Sequence, residues 1–271
     1  MSFTDKTVWI TGASSGIGAA LAREWSKRGA HVVLSGRDER RLADVAQSID
    51  GETLCLPFDV RDDEALQHAT QAAVAWIGNV DIFVANAGVS QRSQAVNTDM
   101  RVYREIIDID LTAQIAATQA LLPHMVERGS GKFVFITSIA GKVGVPMRTA
   151  YCAAKFGLIG YADALRAELS VKGVDVHVIA PGSIATDISR NALDADGAKR
   201  GRSDKAIDGG IPADEAARIM IDAIALNQRE IIVARGMEEA MGELRRTPDQ
   251  LLDQIAGMVA DGYIEKMEAE D

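Results

Sequence analysis

Cysteine is nearly absent: Cys55 and Cys152 are the whole complement of a 271-residue chain. Two such thiols make neither a disulfide framework nor a metal motif, and they fit a reduced, cytoplasmic setting. The four histidines, His31, His68, His124 and His177, are scattered without ligand spacing, so no metal site is expected. Aromatic residues are few, at 5%, and no run reaches the roughly 18 apolar residues a membrane-crossing helix needs. The opening residues, Met1 to Lys6, are short and polar and lead into a strand-like run, so no signal peptide is expected. Positive charge is also in deficit. A net charge of −10 disfavours phosphate backbones and anionic membranes, leaving a small molecule as the expected partner.

What the chain does have is Ala, Ile, Val and Leu, arranged as short apolar runs alternating with longer amphipathic stretches. Strands are expected at Thr7–Thr11, His31–Ser35, Thr53–Pro57, Asp81–Ala85, Lys132–Ser138, Val174–Ala180 and Glu230–Val233. Several are apolar on consecutive residues, as strands covered on both faces are. Helices are expected at Gly16–Arg28, Arg40–Ile49, Asp62–Ile77, Asp99–Arg128, Ala150–Val171 and Pro212–Leu226. The alternation predicts an α/β fold, a doubly wound parallel sheet with right-handed crossovers. No linker or repeat divides the chain, so one domain is expected over residues 1–235.

Two regions break the alternation. Residues 187–211 are rich in Gly, Asp, Arg and Ser and read either as a substrate-side lid or as a plain surface loop. Residues 236–271 form a C-terminal extension. Within it, Thr247-Pro248-Asp249-Gln250 has the signals of a helix start, and Leu251, Leu252, Ile255, Met258, Val259 and Tyr263 follow at helical spacing. That helix can dock on its own domain or serve as a subunit contact.

Thr11-Gly12-Ala13-Ser14-Ser15-Gly16-Ile17-Gly18 lies between the first strand and the first helix. Glycine there permits unusual backbone angles and a close approach to a ligand, while the helix N-terminus presents free N–H groups to a pyrophosphate. The second strand ends at Ser35-Gly36-Arg37. A carboxylate at this point accepts the ribose hydroxyls of NAD, whereas the 2′-phosphate of NADP wants an arginine. Gly36 replaces the acid and Arg37 follows, which favours NADP(H) over NAD(H). A solvated basic helix face, with Arg40 and Arg41, is the other reading.

Tyr151 and Lys155 are four residues apart in a helical pattern and share one face. A cation beside a phenol favours phenolate, bringing an otherwise weak acid–base group toward neutral pH. Tyr151 can then take a proton from an alcohol or return one to a ketone. Ser138, expected at a strand end, can hydrogen-bond the reacting oxygen.

Together these motifs resemble the short-chain dehydrogenase/reductase family over Lys6 to Val233. Thr11–Gly18, with Gly12, Ser14, Ser15, Gly16, Ile17 and Gly18, looks like its cofactor turn. Asp59-Val60 resembles the pair touching adenine, and Asn86-Ala87-Gly88 the fourth-strand motif. Ser138 with Tyr151-x-x-x-Lys155 resembles the active site, and Pro181-Gly182, Ile184 and Thr186 the segment holding the nicotinamide end. The resemblance implies a Rossmann-type sheet of seven mostly parallel strands in order 3-2-1-4-5-6-7, and a homodimer or homotetramer. It also implies hydride transfer between the cofactor and an alcohol or ketone. Where the family has a fourth active-site residue, Asn, this chain has Asp110, which can hold a water through its carbonyl or pair with Lys155. Ile139, Ala140, Val143, Pro146 and Met147, together with the 187–211 segment, are expected to wall the substrate; the first five suggest a hydrophobic carbonyl compound, and core packing is the other reading of their composition. A cofactor-binding sensor or scaffold without turnover, or an epimerase or dehydratase, are the competing readings.

Overall fold

The computed structural model describes residues 2–263; the end of the expected extension, 264–271, lies outside the described residues. Seven strands form one sheet: β1 (Thr7–Thr11), β2 (His31–Gly36), β3 (Thr53–Pro57), β4 (Ile82–Ala85), β5 (Gly131–Ile136), β6 (Val174–Pro181) and β9 (Glu230–Val233). Their order is β3-β2-β1-β4-β5-β6-β9, and every pairing is parallel. This is the expected order, because only a two-residue pair, β7 (Ile184–Ala185) with β8 (Ile211–Pro212), intervenes before the last strand.

The consecutive apolar residues have a simple cause. Val8, Ile10, Val32, Leu34, Ile82 and Val84 point into one apolar layer. Their neighbours Trp9, Val33, Phe83, Phe133 and Phe135 point into the other. The first layer is closed by Leu21 and Trp25 of α1 (Gly16–Lys27) and by Met220 and Ile221 of a helix at Ala213–Ala225. The second is closed by residues of α3 (Asp63–Ile77) and of two long helices at Ala113–Arg128 and Thr149–Leu169. Each such side chain, removed from water, contributes about 1.5–3 kcal/mol. Trp9, buried in the second layer, satisfies its indole by donating to Ser35 Oγ at 2.9 Å.

Several boundaries differ from expectation. The stretch expected as one helix over 99–128 is α4 (Met100–Ile107), a π-helical turn at Asp108–Thr112, and α5 (Ala113–Arg128). A π turn places one extra residue in the turn, which re-aims side chains and is frequent at functional sites. β5 stops at Ile136, so Ser138 is not on the strand; it caps a 3-10 turn at Ile139–Gly141. After α2 (Glu39–Gln47) and α3, the remaining helices are α6 (Thr149–Leu169), the short α7 (Lys205–Asp208), α8 (Ala213–Ala225), α9 (Met237–Leu244) and α10 (Asp249–Ala260).

Within the extension, α9 was not expected. Its apolar Met237, Met241 and Leu244 face solvent, so periodicity gave no core signal. α10 packs on α6 and buries Leu252, leaving Leu251, Ile255 and Met258 partly exposed. Thr247 does not cap it: Pro248 holds the cap position without a side-chain bond, and the Thr247 N–H donates to Glu230 Oε2 at 2.7 Å.

Candidate active site

The carboxyl ends of the central strands open into a cleft of about 920 Å³. Of the expected site residues all line it except Gly18: Gly12, Ser14, Ser15, Gly16, Ile17, Arg37, Asp59, Val60, Asn86, Ala87, Gly88, Asp110, Ser138, Tyr151, Lys155, Pro181, Gly182, Ile184 and Thr186. Gly18 lies behind the turn, where a Cβ would fall 2.6 Å from Asn86 Nδ2 and collide with the Gly12 carbonyl. It serves close helix–strand packing and does not line the cleft.

The turn is built to stay open. Gly12 and Gly16 have φ of +65° and +55°, a region that side chains disfavour. Ser15 caps α1 through its backbone alone, so no side chain takes up the N–H groups of the first turn. Asn86 clamps the turn from β4: its Nδ2 donates to the Thr11 and Gly12 carbonyls at 2.9 and 3.2 Å. Thr11 Oγ1 in return accepts the N–H groups of Asn86 and Ala87 at 3.0 and 3.2 Å. Open donors at a helix N-terminus, in a cradle that a Cβ would fill, suit a dinucleotide pyrophosphate.

Farther along the cleft, Arg37 and Arg41 line the end of β2. Asp38 is occupied as the α2 cap, accepting the Arg41 N–H at 3.0 Å. Asp59 is bonded by the Arg61 side chain at 2.6 Å, which holds its carboxyl below the usual range.

At the other end Tyr151, Lys155 and Asp110 form a group with almost no solvent exposure at the two charges. Lys155 Nζ lies 3.1 Å from Asp110 Oδ2, donates to the Ile136 carbonyl at 3.1 Å, and sits 5.6 Å from the centre of the Tyr151 ring. The lysine–carboxylate contact is an ion pair without the alignment of a hydrogen bond, so Oδ2 has no hydrogen-bond partner. Oδ1 accepts the Val89 N–H at 2.8 Å. The expected pairing of Asp110 with Lys155 is thus formed. The π turn buries Asp110 completely, and Gly88 is required opposite it, since a Cβ there would lie 2.8 Å from Oδ2.

Burial pushes the Tyr151 phenol up; Lys155 and Ser138 work against that, and Asp110 adds to it. Burial works against the Lys155 charge, but Asp110 and the phenol outweigh it and raise its pKa. Burial also pushes the Asp110 carboxyl up, opposed by Lys155 and the Val89 N–H. Ser138 Oγ accepts the Ala140 N–H at 3.1 Å, and its hydroxyl donates to the Pro181 carbonyl at 3.4 Å at the edge of the cleft.

The expected wall is met in part. Ile139 and Ala140 are buried in packing, and Val143, Pro146 and Met147 do not line the cleft. Residues of the 187–211 segment line it as expected, among them Ile188, Asn191, Leu193, Lys199 and Ile207. That segment is held down: Asp204 pairs with Arg92 at 2.7 Å and Arg200 at 2.5 Å. Glu238 of α9 was also missed. Its carboxylate accepts the Ser183 N–H at 2.7 Å and hydroxyl at 2.8 Å, fixing the Pro181-Gly182-Ser183 bend from 55 residues away. No local pattern signals such a pairing.

A short chain dehydrogenase family model matches residues 6–197. The chain belongs to the short-chain dehydrogenase/reductase family. It is therefore an oxidoreductase of that family, in which a nicotinamide cofactor is typical. It is 36% identical to dehydrogenase/reductase SDR family member 7B of Danio rerio, over 85% of this chain and 77% of that one. It is 40% identical to dehydrogenase/reductase SDR family member 7 of Homo sapiens, over 70% and 58%. Among solved structures, levodione reductase superposes with a TM-score of 0.79 at 26% identity, covering 88% of this chain and 99% of that one. A Burkholderia phymatum member in complex with NAD has a TM-score of 0.81 at 22% identity, covering 92% and 98%, a likeness of fold.

Proposed function

We propose that this family member is an NADP(H)-dependent dehydrogenase/reductase acting on a secondary alcohol or its ketone, with Tyr151 as acid–base group. The observation carrying the reading is the convergence of Ser138, Tyr151 and Lys155 on the cleft that the glycine turn opens into. A nicotinamide bound there supplies or accepts the hydride. The chain's own residues handle the proton. In reduction the Tyr151 hydroxyl gives its proton to the carbonyl oxygen, while Ser138 holds that oxygen by hydrogen bonding. In oxidation the phenolate takes the proton back, and the Lys155 ammonium stabilises it. Desolvation strengthens these electrostatic terms.

The NADP(H) preference rests on Gly36, where an acid would accept ribose hydroxyls, and on Arg37 and Arg41 lining the cleft beside it. Val89, Leu193 and Ile207 supply apolar lining, which supports a carbonyl compound with hydrophobic surface. The test is consumption of NADPH against NADH over a panel of carbonyl compounds. Tyr151→Phe should keep cofactor binding and lose turnover by a factor of about 100 or more. Turnover near wild type in that variant, or a preference for NADH, defeats the corresponding part of the proposal.

A further inference from the structure

The start of α6 has no local explanation. Arg148, its cap residue, makes no side-chain cap bond, and Met147 before it adopts a φ of +65°. Yet Ala150, in the first turn and fully buried, carries an N–H that its own helix cannot satisfy. The partner is Gln91, which accepts that N–H through Oε1 at 2.8 Å from 59 residues away. Tyr151 is the next residue.

Gln91 is itself fully buried, and its other end is equally committed. Nε2 donates to the Ser93 carbonyl at 3.2 Å, Ser93 Oγ at 3.0 Å and Thr98 Oγ1 at 3.2 Å. These acceptors fix the amide so that its oxygen faces Ala150. The backbone around Gln91 meets the 187–211 segment. Leu193 N–H donates to the Ser90 carbonyl at 2.8 Å, and Arg92 N–H donates to the Leu193 carbonyl at 2.9 Å. Leu193 lines the cleft. Gln91 thus sits opposite Leu193, joined to the 187–211 segment through the backbone groups of its two neighbours, and meets the helix start of Tyr151 through its own side chain.

We infer that Gln91 is a positioning residue, which sets the Tyr151 phenol and transmits to it the docking of the 187–211 segment. The inference rests on the proposed role of Tyr151. Burial without a hydrogen bond is costly for a polar group, so the Ala150 N–H has every reason to follow Gln91. A Met at position 91 has similar length and no hydrogen bonds.

Hydrogen exchange followed at single amides in Gln91→Met needs no substrate and reads the link directly. The Ala150 and Leu193 amides should exchange together, each faster by about tenfold or more, while β4 and β5 amides keep their protection. Unchanged protection at Ala150, or loss at Ala150 alone, overturns the link. Turnover then tests its consequence: Gln91→Met should lose kcat about tenfold or more with NADPH affinity within twofold. A kcat unchanged in Gln91→Met, or a loss of NADPH affinity as large as the loss of kcat, overturns the positioning role. If instead Tyr151→Phe remains active, the reading of Tyr151 has failed, and the exchange result still decides the link.

Discussion

Removing the charge of Asp110 should move the pH dependence of the reaction. The carboxylate lies 3.1 Å from Lys155 Nζ, a gross attraction of about 5 kcal/mol at an effective dielectric of 20. Desolvation of both groups offsets much of it. Truncation to Ala strands a buried ammonium, at about 3–5 kcal/mol. At about 2.1 cal/mol/K per residue that is a fall of roughly 5–9 °C in melting temperature. Asp110→Asn keeps an acceptor for the Val89 N–H but turns an NH2 toward Lys155, so it too should lose about 3–5 kcal/mol. Its further effect falls on the proton. Asp110 raises the Tyr151 pKa, so removing the charge lowers it. Alcohol oxidation, which needs phenolate, should then gain its acid limb at lower pH. Ketone reduction, which needs the protonated phenol, should lose activity at lower pH along its basic limb. Measuring kcat/KM against pH in both directions checks this, with cofactor saturating. Superimposable profiles for wild type and Asp110→Asn refute the electrostatic argument, whatever the melting temperatures show.

Two further predictions concern stability. Lys142 and Glu230 form an ion pair with almost no exposure, so Lys142→Met should cost about 3–5 kcal/mol by leaving Glu230 charged and unmatched. Denaturant titration checks it, and adding Glu230→Met should return part of the loss; a single variant as stable as wild type refutes it. His177 is buried, its Nδ1 on the Gln228 carbonyl at 2.7 Å, and burial lowers its pKa to about 4. The unfolded chain takes this proton below about 6.5, so its contribution is present above that pH and lost as pH falls to about 4. The loss is about 3 kcal/mol, and His177→Gln should lack it; an equal pH slope in that variant counts against the assignment.

The sheet was legible because strands buried on both faces must be apolar throughout, and Trp9 beside Val8 and Ile10 is that rule in miniature. The turn and the Tyr151–Lys155 pair were legible because their geometry is local: strand, turn and helix in one case, one helical turn in the other. The π turn was not, since an added residue at Asp108–Thr112 leaves the surrounding amphipathic pattern readable as a single helix. Ser138 was placed on a strand because apolar character continues to Ile136 and nothing marks where pairing stops. For the apolar residues after Ser138 the packing reading is the one that held: Ile139 and Ala140 are apolar because they pack inward. Gln91 and Glu238 were invisible, because a buried amide or carboxylate acquires meaning only from the distant backbone it meets.

The bonds from the C-terminal region bear on how this chain can be recombined. Glu238 holds the Ser183 bend, and Glu230 joins Lys142 to the Thr247 backbone. A chimera that crosses to a relative's sequence just after β7 would separate both carboxylates from the partners they meet in this chain. Crossover points that keep Lys142 and Ser183 in the same parental block as Glu230 and Glu238 should yield folded progeny more often. The tail is thus best exchanged together with the cleft it braces.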